Sequence, residues 1–309
     1  MPEYVHKPVL VSEVLAALAL QPGGRYADGT VGGGGHAGAI LKATAPTGWL
    51  SGCDRDGDAL EAASVRLAEF AGRFELRRGN YSELADWIAA NSCDGVLLDL
   101  GVSSPQLDHA ERGFSFQQEG PLDMRVDRRQ TLTAAELIND LDPEKLTQIF
   151  RDLGEEPEAR RLARAIECER RFRRFETTRQ LAELIEKISP RRGRRLHPAT
   201  RIFQALRMAV NDELGSLRRG LEAGLAILRP GGRLAVITFH SVEDRMVKEF
   251  VRERSRDYVV TGDVDVPELR QPGSPSLKRV SRKAIQPGPD EVAANPRSRS
   301  AQLRVMEKV

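Results

Sequence analysis

The sequence predicts a doubly wound α/β fold, on three observations. Four short apolar runs stand apart along the chain (Arg25–Asp28, Trp49–Asp54, Val96–Asp99 and Leu234–Phe239), three of them directly behind Pro/Gly-containing turns. Helical periodicity fills the intervals between them. Acidic and polar residues gather at the ends of the runs and just after them. Strands that alternate with helices imply crossover units, and so a parallel sheet covered on both faces.

Taken in order, Val9–Leu20 opens as an amphipathic helix interrupted by Ser12 and Glu13. After the second run Leu60, Ala63, Leu67, Phe70 and Ala71 recur at helical spacing, and Leu84, Trp87 and Ile88 do so again before the third. After the fourth, Val242, Met246, Val247, Phe250 and Val251 mark another helix, with Ser241-Val-Glu-Asp244 as a capping-box start. Pro267–Pro275 and Pro287–Pro296 have loop composition, and Ser300–Lys308 reads as a last strand. The rhythm stops near residue 107 and resumes near 200. Between lie a Gly/Phe/Pro loop (Arg112–Arg125), helices at Ala134–Asn139 and Pro143–Leu153, and an arginine-rich helical stretch from Ala159. That is too long for a loop in a compact domain. The expected organisation is therefore a sheet domain in two parts, 1–108 and 200–309, with an inserted helical subdomain at 109–199.

Composition bounds the class. With 309 residues, 40% hydrophobic and 30% charged, the chain is neither disordered nor too small for a core. No apolar run is long enough to span a membrane, and the start lacks a basic, cleavable leader. Three widely spaced cysteines (Cys53, Cys93, Cys168) make neither a disulfide framework nor a zinc site, which points to the reducing cytoplasm. The net charge of +2 conceals two basic stretches. Residues 151–207 hold fifteen Arg and one Lys against nine acids, and 278–304 hold seven basic residues against two acids. Glu–Arg pairs on solvated helix faces account for part of the first, but Arg191, Arg192, Arg194 and Arg195 have no acidic neighbour.

In an open parallel sheet ligands bind beyond the carboxyl ends of the strands. The first run ends in Asp28 and enters Gly29-Thr-Val-Gly-Gly-Gly-Gly35-His36, where four consecutive glycines admit a closely approaching ligand. The second run ends in Asp54, a carboxylate suited to the two hydroxyls of a ribose. The third delivers Asp99 to the sheet edge, followed by Ser103 and Ser104 before Pro105, which fit a simple turn equally well. Gly33-x-Gly35-x-x-Gly38 formally matches a dinucleotide fingerprint, so an NAD-dependent dehydrogenase is one alternative. Four residues (Gly29–Gly32) separate it from the strand, however, and the acids favour a cationic methyl donor, S-adenosylmethionine. A phosphate loop is excluded because no Gly-Lys-Ser/Thr follows the glycines. A non-catalytic RNA-binding or assembly factor is the other alternative.

These segments match a known family. His6-Lys-Pro-Val-Leu10, Asp28-Gly-Thr-Val-Gly-Gly-Gly-Gly-His36, Asp99-Leu-Gly-Val-Ser-Ser-Pro-Gln-Leu-Asp108, Arg112-Gly-Phe-Ser-Phe116 and Gly120-Pro-Leu-Asp-Met-Arg125 occur in order. His197-Pro-Ala-Thr-Arg-Ile-Phe-Gln204, Phe239-His-Ser-Val-Glu-Asp-Arg245 and Asn295-Pro-Arg-Ser-Arg-Ser300 follow. Over essentially its whole length the chain resembles the bacterial ribosomal small-subunit RNA methyltransferase H (MraW) family. The resemblance implies a class I, Rossmann-like methyltransferase sheet with an inserted helical substrate-recognition domain. It implies methylation of the exocyclic N4 of a cytidine in the decoding region of 16S rRNA, with the small ribosomal subunit as partner. By position it places cofactor contacts on Gly34, Gly35, His36, Asp54, Tyr81, Asp99 and Gln106, and on no metal. Val126–Thr131 and Val264–Ser276 match none of its motifs.

Cytosine's amine is a poor nucleophile because its lone pair is delocalised into the ring. An acceptor on its N–H localises that pair, and Asp99, or the carbonyls of Leu100 and Gly101, is the candidate. The Asp/Asn-Pro-Pro-aromatic signature of many amino-methylating enzymes is missing from the sequence. The target base must leave its stack, and loop bases are gripped by aromatic and Arg faces. Phe114, Phe116 and Arg125 lie where a base could enter, although interdomain packing explains the Phe pair as well. Arg125, Arg191, Arg192, Arg194 and Arg195 are the candidate RNA contacts. His240 ends the fourth run beside the presumed pocket, with helix entry as its other reading. Cys53 and Cys93 are expected in the core.

Overall fold

The computed structural model describes residues 8–191, 197–260 and 265–309. The chain forms two compact units, Met1–Gly101 with Gly215–Val309, and Val102–Leu214.

The first unit is built on a seven-stranded sheet. Its strands are β1 (Arg25–Asp28), β2 (Trp49–Asp54), β3 (Phe74–Arg78), β4 (Cys93–Asp99), β5 (Leu228–Thr238), β8 (Leu277–Arg279) and β9 (Gln302–Lys308). A separate two-stranded ribbon pairs β6 (Tyr258–Val260) with β7 (Arg270–Pro272). The sheet order is β3-β2-β1-β4-β5-β9-β8, with the first five strands parallel, β9 antiparallel to β5, and β8 antiparallel to β9. Its helices are α1 (Val11–Ala17), α2 (Gly35–Ala43), α3 (Gly57–Arg66), α10 (Glu213–Ile227, whose first two residues belong to the second unit), α11 (Ser241–Arg254) and α12 (Pro289–Ala294).

The apolar runs are continuous because both faces of the sheet are covered. Successive side chains of a strand point to opposite faces. Val96, Leu98, Leu234 and Val236 enter one core with Leu84, Leu221 and Val247. Leu97, Ala235 and Ile237 enter another with Leu10, Ile40 and Leu41. Cys53 and Cys93 are buried, as expected, and Cys168 is exposed. Among the described residues no helix is long and apolar enough to cross a membrane.

Several elements differ from expectation. β3 was not anticipated: it flanks the sheet, its residues Phe74-Glu-Leu-Arg-Arg78 are only partly covered, and so no continuous apolar run marks it. β5 begins at Leu228, running through Pro230-Gly-Gly232 rather than after it. The 287–296 stretch holds α12 rather than loop alone. The start of α11 is shifted by one residue from the expected capping box. His240 is the N-cap, its ring Nδ1 accepting from the Glu243 N–H at 3.4 Å, while the Phe239 N–H donates to Glu243 Oε2 at 3.0 Å. His240 therefore takes the helix-entry role.

The second unit is helical: α4 (Ser104–Asp108), α5 (Ala134–Asp140), α6 (Pro143–Asp152), α7 (Ala159–Arg170), α8 (Thr178–Ile188) and α9 (Ala199–Val210). Thr133 and Thr177 start α5 and α8 with capping boxes closed by Glu136 and Gln180. Leu137, Leu146, Phe150, Ile166, Leu181 and Leu206 fill a core of its own. It extends beyond the expected 109–199 at both ends, because Val102 and Leu107 pack against that core before 109 and α9 contributes Ile202, Phe203 and Leu206 to it after 199.

Candidate functional site

Asp28, Asp54 and Asp99 end three strands that lie side by side, β2-β1-β4, so their carboxylates share one edge of the sheet. β1 and β4 also flank the switch in strand order, where ligands of doubly wound sheets bind. Topology alone thus gathers residues that are 26 and 45 positions apart in sequence.

Hydrogen bonds fix the edge. The Gly32 N–H donates to Asp54 Oδ2 and the Asp56 N–H to Asp54 Oδ1, each at 2.9 Å, tying the glycine loop to the end of β2. A carboxylate offers about four lone-pair directions, so Asp54 keeps capacity for further donors. Asp28 Oδ1 accepts from the Thr30 N–H at 3.0 Å. Thr30 Oγ1 in turn accepts from the Asp99 N–H at 2.7 Å, linking the first and third acids. Gly34 is the N-cap of α2 at φ 79°, and a Cβ there would stand 3.3 Å from Ala63 Cα; only glycine suits this bend. The bend places Gly35 and His36 in the first turn of α2.

The site is electrostatically loaded. Burial pushes the Asp28 carboxyl up to about 6, against the pull of His36. Burial likewise pushes half-buried Asp54 up to about 6, opposed by the backbone N–H groups it accepts. His36 is 5% exposed, with Nε2 3.4 Å from Asp99 Oδ2. That is an ion-pair distance without the alignment of a formed hydrogen bond, and both ring nitrogens stay unpartnered. Burial lowers the His36 pKa, but Asp99 and then Asp28 raise it further, so the net direction is up. Asp28 Oδ2 and Asp99 Oδ1 are also buried without a hydrogen-bond partner. Orphaned buried acceptors are costly, and two of them at one strand-end crevice mark where a ligand's donors belong.

Tyr81 opens a 3₁₀ turn after β3 that Asn80 caps, its Oδ1 accepting from the Ser82 N–H at 3.1 Å. Asn80 Nδ2 also donates to Ser216 Oγ at 2.8 Å. The Cδ2–Cε2 edge of the Tyr81 ring abuts Gly220 of α10, where a Cβ would come within 2.2 Å of Cδ2. Composition gave no sign of Thr30, Asn80, Ser216 or Gly220 as supports of the site. Each acts through a partner distant in sequence or through an absent side chain.

The other expected residues lie in the helical unit. Gln106 is buried in the first turn of α4 and accepts from the Ser103 N–H at 3.0 Å. Phe114 is core, and Phe116 packs tilted against His197 and edge-on against Phe203 at 4.7 and 4.9 Å between ring centroids, so both pack within that unit. Arg125 grips Asp123 with Nε and Nη2 at 2.8 and 2.7 Å and donates Nη1 to the Gln130 carbonyl, which makes it a brace of its own loop. Arg191 is exposed. Arg192, Arg194, Arg195 and His6 lie outside the described residues.

The sequence profile of the MraW methylase family matches residues 3–309. The chain belongs to the MraW methylase family. Its relatives include proteins named ribosomal RNA small subunit methyltransferase H. That of Syntrophotalea carbinolica is 50% identical over 99% of this chain and 98% of its own. That of Symbiobacterium thermophilum is 50% identical over 98% of this chain and 96% of its own. A solved rRNA methylase from Streptococcus thermophilus is similar at 12% identity and TM-score 0.43, covering 99% of this chain and 98% of its own. The methylase uses S-adenosylmethionine, and the strand-end crevice fits that group. Its ribose hydroxyls and ammonium are donors, and the crevice offers Asp28 Oδ2, Asp99 Oδ1 and the remaining capacity of Asp54 as acceptors. Its sulfonium is a cation, a charge for which a crevice lined by the carboxylates of Asp28, Asp54 and Asp99 is chemically suited.

Proposed function

We propose that the protein methylates the exocyclic N4 of a cytidine in the decoding region of 16S rRNA, within the small ribosomal subunit in the cytoplasm. The names carried by relatives 50% identical over nearly the whole chain support the RNA substrate. The observation that carries the chemistry is the unpartnered, buried Asp99 Oδ1 at the end of β4.

Asp54, Tyr81, Gly34, Gly35 and His36 hold the cofactor. When bound, it supplies an electrophilic methyl group on a sulfonium. The protein's own part is to orient the amine and manage its proton. Asp99 Oδ1 accepts a hydrogen bond from the amine N–H, which localises the nitrogen lone pair and aligns it for in-line attack. Thr30 keeps the Asp99 backbone fixed, and His36 Nε2 stands 3.4 Å from Oδ2. The basic insert, with Arg191, Arg192, Arg194 and Arg195 among its cations, meets the phosphate backbone.

Asp99→Ala is expected to lower kcat by about 10² to 10³, the usual span for losing one preorganised transition-state hydrogen bond. Thermal unfolding followed by circular dichroism tests the fold of the same variant. Full turnover by Asp99→Ala would overturn the acceptor role. Mass spectrometry of rRNA nucleosides from cells with and without the gene tests the substrate: N4-methylcytidine unchanged on deletion would overturn it.

A further inference from the structure

The second basic stretch, 278–304, has no part in the chemistry above, yet the fold concentrates it. Arg245, Lys248 and Arg252 repeat at helical spacing along one face of α11. That face, the edge strand β8 with the segment after it, and β9 enclose a cavity of about 340 Å³. Arg279, Arg282 and Arg304 complete its lining from the strand side, and among the described residues Glu249 is the only acid in the wall. Arg304 and Lys248 are held by Asp244, at 2.6 and 3.2 Å, and form an anchored floor. Arg252, Arg279 and Arg282 have no ion pair or side-chain hydrogen bond among the described residues.

Charges on an edge strand commonly serve only to stop sheets from pairing edge to edge. That role explains Arg279 but asks nothing of α11, whose three cations face the same hollow. A solvated helix face would pair its charges along its own length, yet Arg252 leaves Glu249, three residues away, unpaired. Six cations from three elements converge on one concave surface with an excess of positive charge, and the ligand of matching chemistry is a polyanion with closely spaced charges. We propose that this groove is a second RNA site of the methylase, gripping backbone phosphates of the substrate RNA away from the strand-end crevice that holds Asp28, Asp54 and Asp99. It rests on the rRNA substrate proposed above.

Such a contact carries affinity and register rather than chemistry. Uniform binding raises KM when lost and leaves kcat alone. The triple variant Arg252→Glu, Arg279→Glu, Arg282→Glu alters exposed side chains that hold nothing in the fold. Steady-state methylation of small subunits is expected to show KM raised by about tenfold or more with kcat unchanged. Binding to protein-free 16S RNA, followed against salt, should lose about 2 to 3 from its log–log slope, since each phosphate contact contributes roughly 0.7–0.9. An unchanged KM and slope in the triple variant overturn the groove while leaving the RNA substrate intact. Wild-type protein that binds no RNA at any salt concentration and methylates no small subunits overturns the substrate and the groove together. A raised KM on subunits with unaltered binding to protein-free RNA overturns the RNA assignment in favour of an acidic protein partner.

Discussion

Asp28 is fully buried at the end of β1, and its Oδ2 has no partner. A carboxyl in that position resists ionisation, and its pKa of about 6 against an unfolded value of 3.8 has a definite consequence for stability. Below pH 3.8 folded and unfolded chains both hold the proton. As pH rises through 6 the unfolded chain has already lost it while the folded one must give it up at a cost. The group's favourable contribution is therefore present in acid and gone above pH 6, a swing of about 3 kcal/mol. Asp28→Asn removes the swing and keeps the Oδ1 acceptor for Thr30. At pH 7.5 the cofactor-free variant is expected to melt about 5 °C higher than the parent, with the gap closing near pH 4. Scanning calorimetry at the two pH values checks this, and a variant less stable at pH 7.5 would contradict it. Cofactor affinity should fall in the same variant, because the orphaned acceptor becomes a donor facing donors. The crevice thus stores instability that its ligand relieves, as binding sites commonly do.

The elements around the crevice differ in how openly the sequence announced them. The glycine loop and the acids of β1, β2 and β4 were legible because a parallel sheet puts its chemistry at strand ends, and those ends follow unmistakable apolar runs. β3 and β8 were not: each is short, partly exposed and charged, as edge strands are, and periodicity cannot separate such segments from loop. The seating of Tyr81 was invisible for another reason. It depends on the missing side chain of Gly220, on a helix 139 positions further along the chain. Gly220→Ala would drive a Cβ to 2.2 Å from the Tyr81 ring, so the ring must move. Overpacking of this kind costs about 1–3 kcal/mol. The alanine variant should lose stability in denaturant titrations and bind S-adenosylhomocysteine about tenfold more weakly. Adding Tyr81→Val makes room for the methyl group: stability should recover while affinity does not, because the ring proposed to line the site is gone. Recovery of both would show that Tyr81 is no part of the pocket.

At the scale of the whole molecule the chain divides its apolar residues cleanly. The clusters around the sheet draw only on the first unit, and the cluster of Leu137, Leu146, Phe150, Ile166, Leu181 and Leu206 draws only on Val102–Leu214. The insertion was legible as a break in the α/β rhythm, but its limits were not. α9 carries no mark in its sequence that says which core Ile202 and Leu206 enter. A unit with a complete core and capped helices can fold alone. The fragment Val102–Leu214 is therefore expected to be helical by circular dichroism and to unfold cooperatively on heating. Leu146→Ala, which empties a fully buried site, should destabilise it by about 2–5 kcal/mol. The fragment also carries the exposed Arg160, Arg161 and Arg164 of α7. If the insert meets phosphates, the isolated fragment should bind single-stranded RNA weakly, with affinity falling steeply between about 50 and 200 mM salt. A fragment that melts without a transition would deny the unit its independence. One that folds but binds RNA with no salt dependence would remove the insert from the RNA interface and leave the α11–β8–β9 groove as the basic surface to pursue.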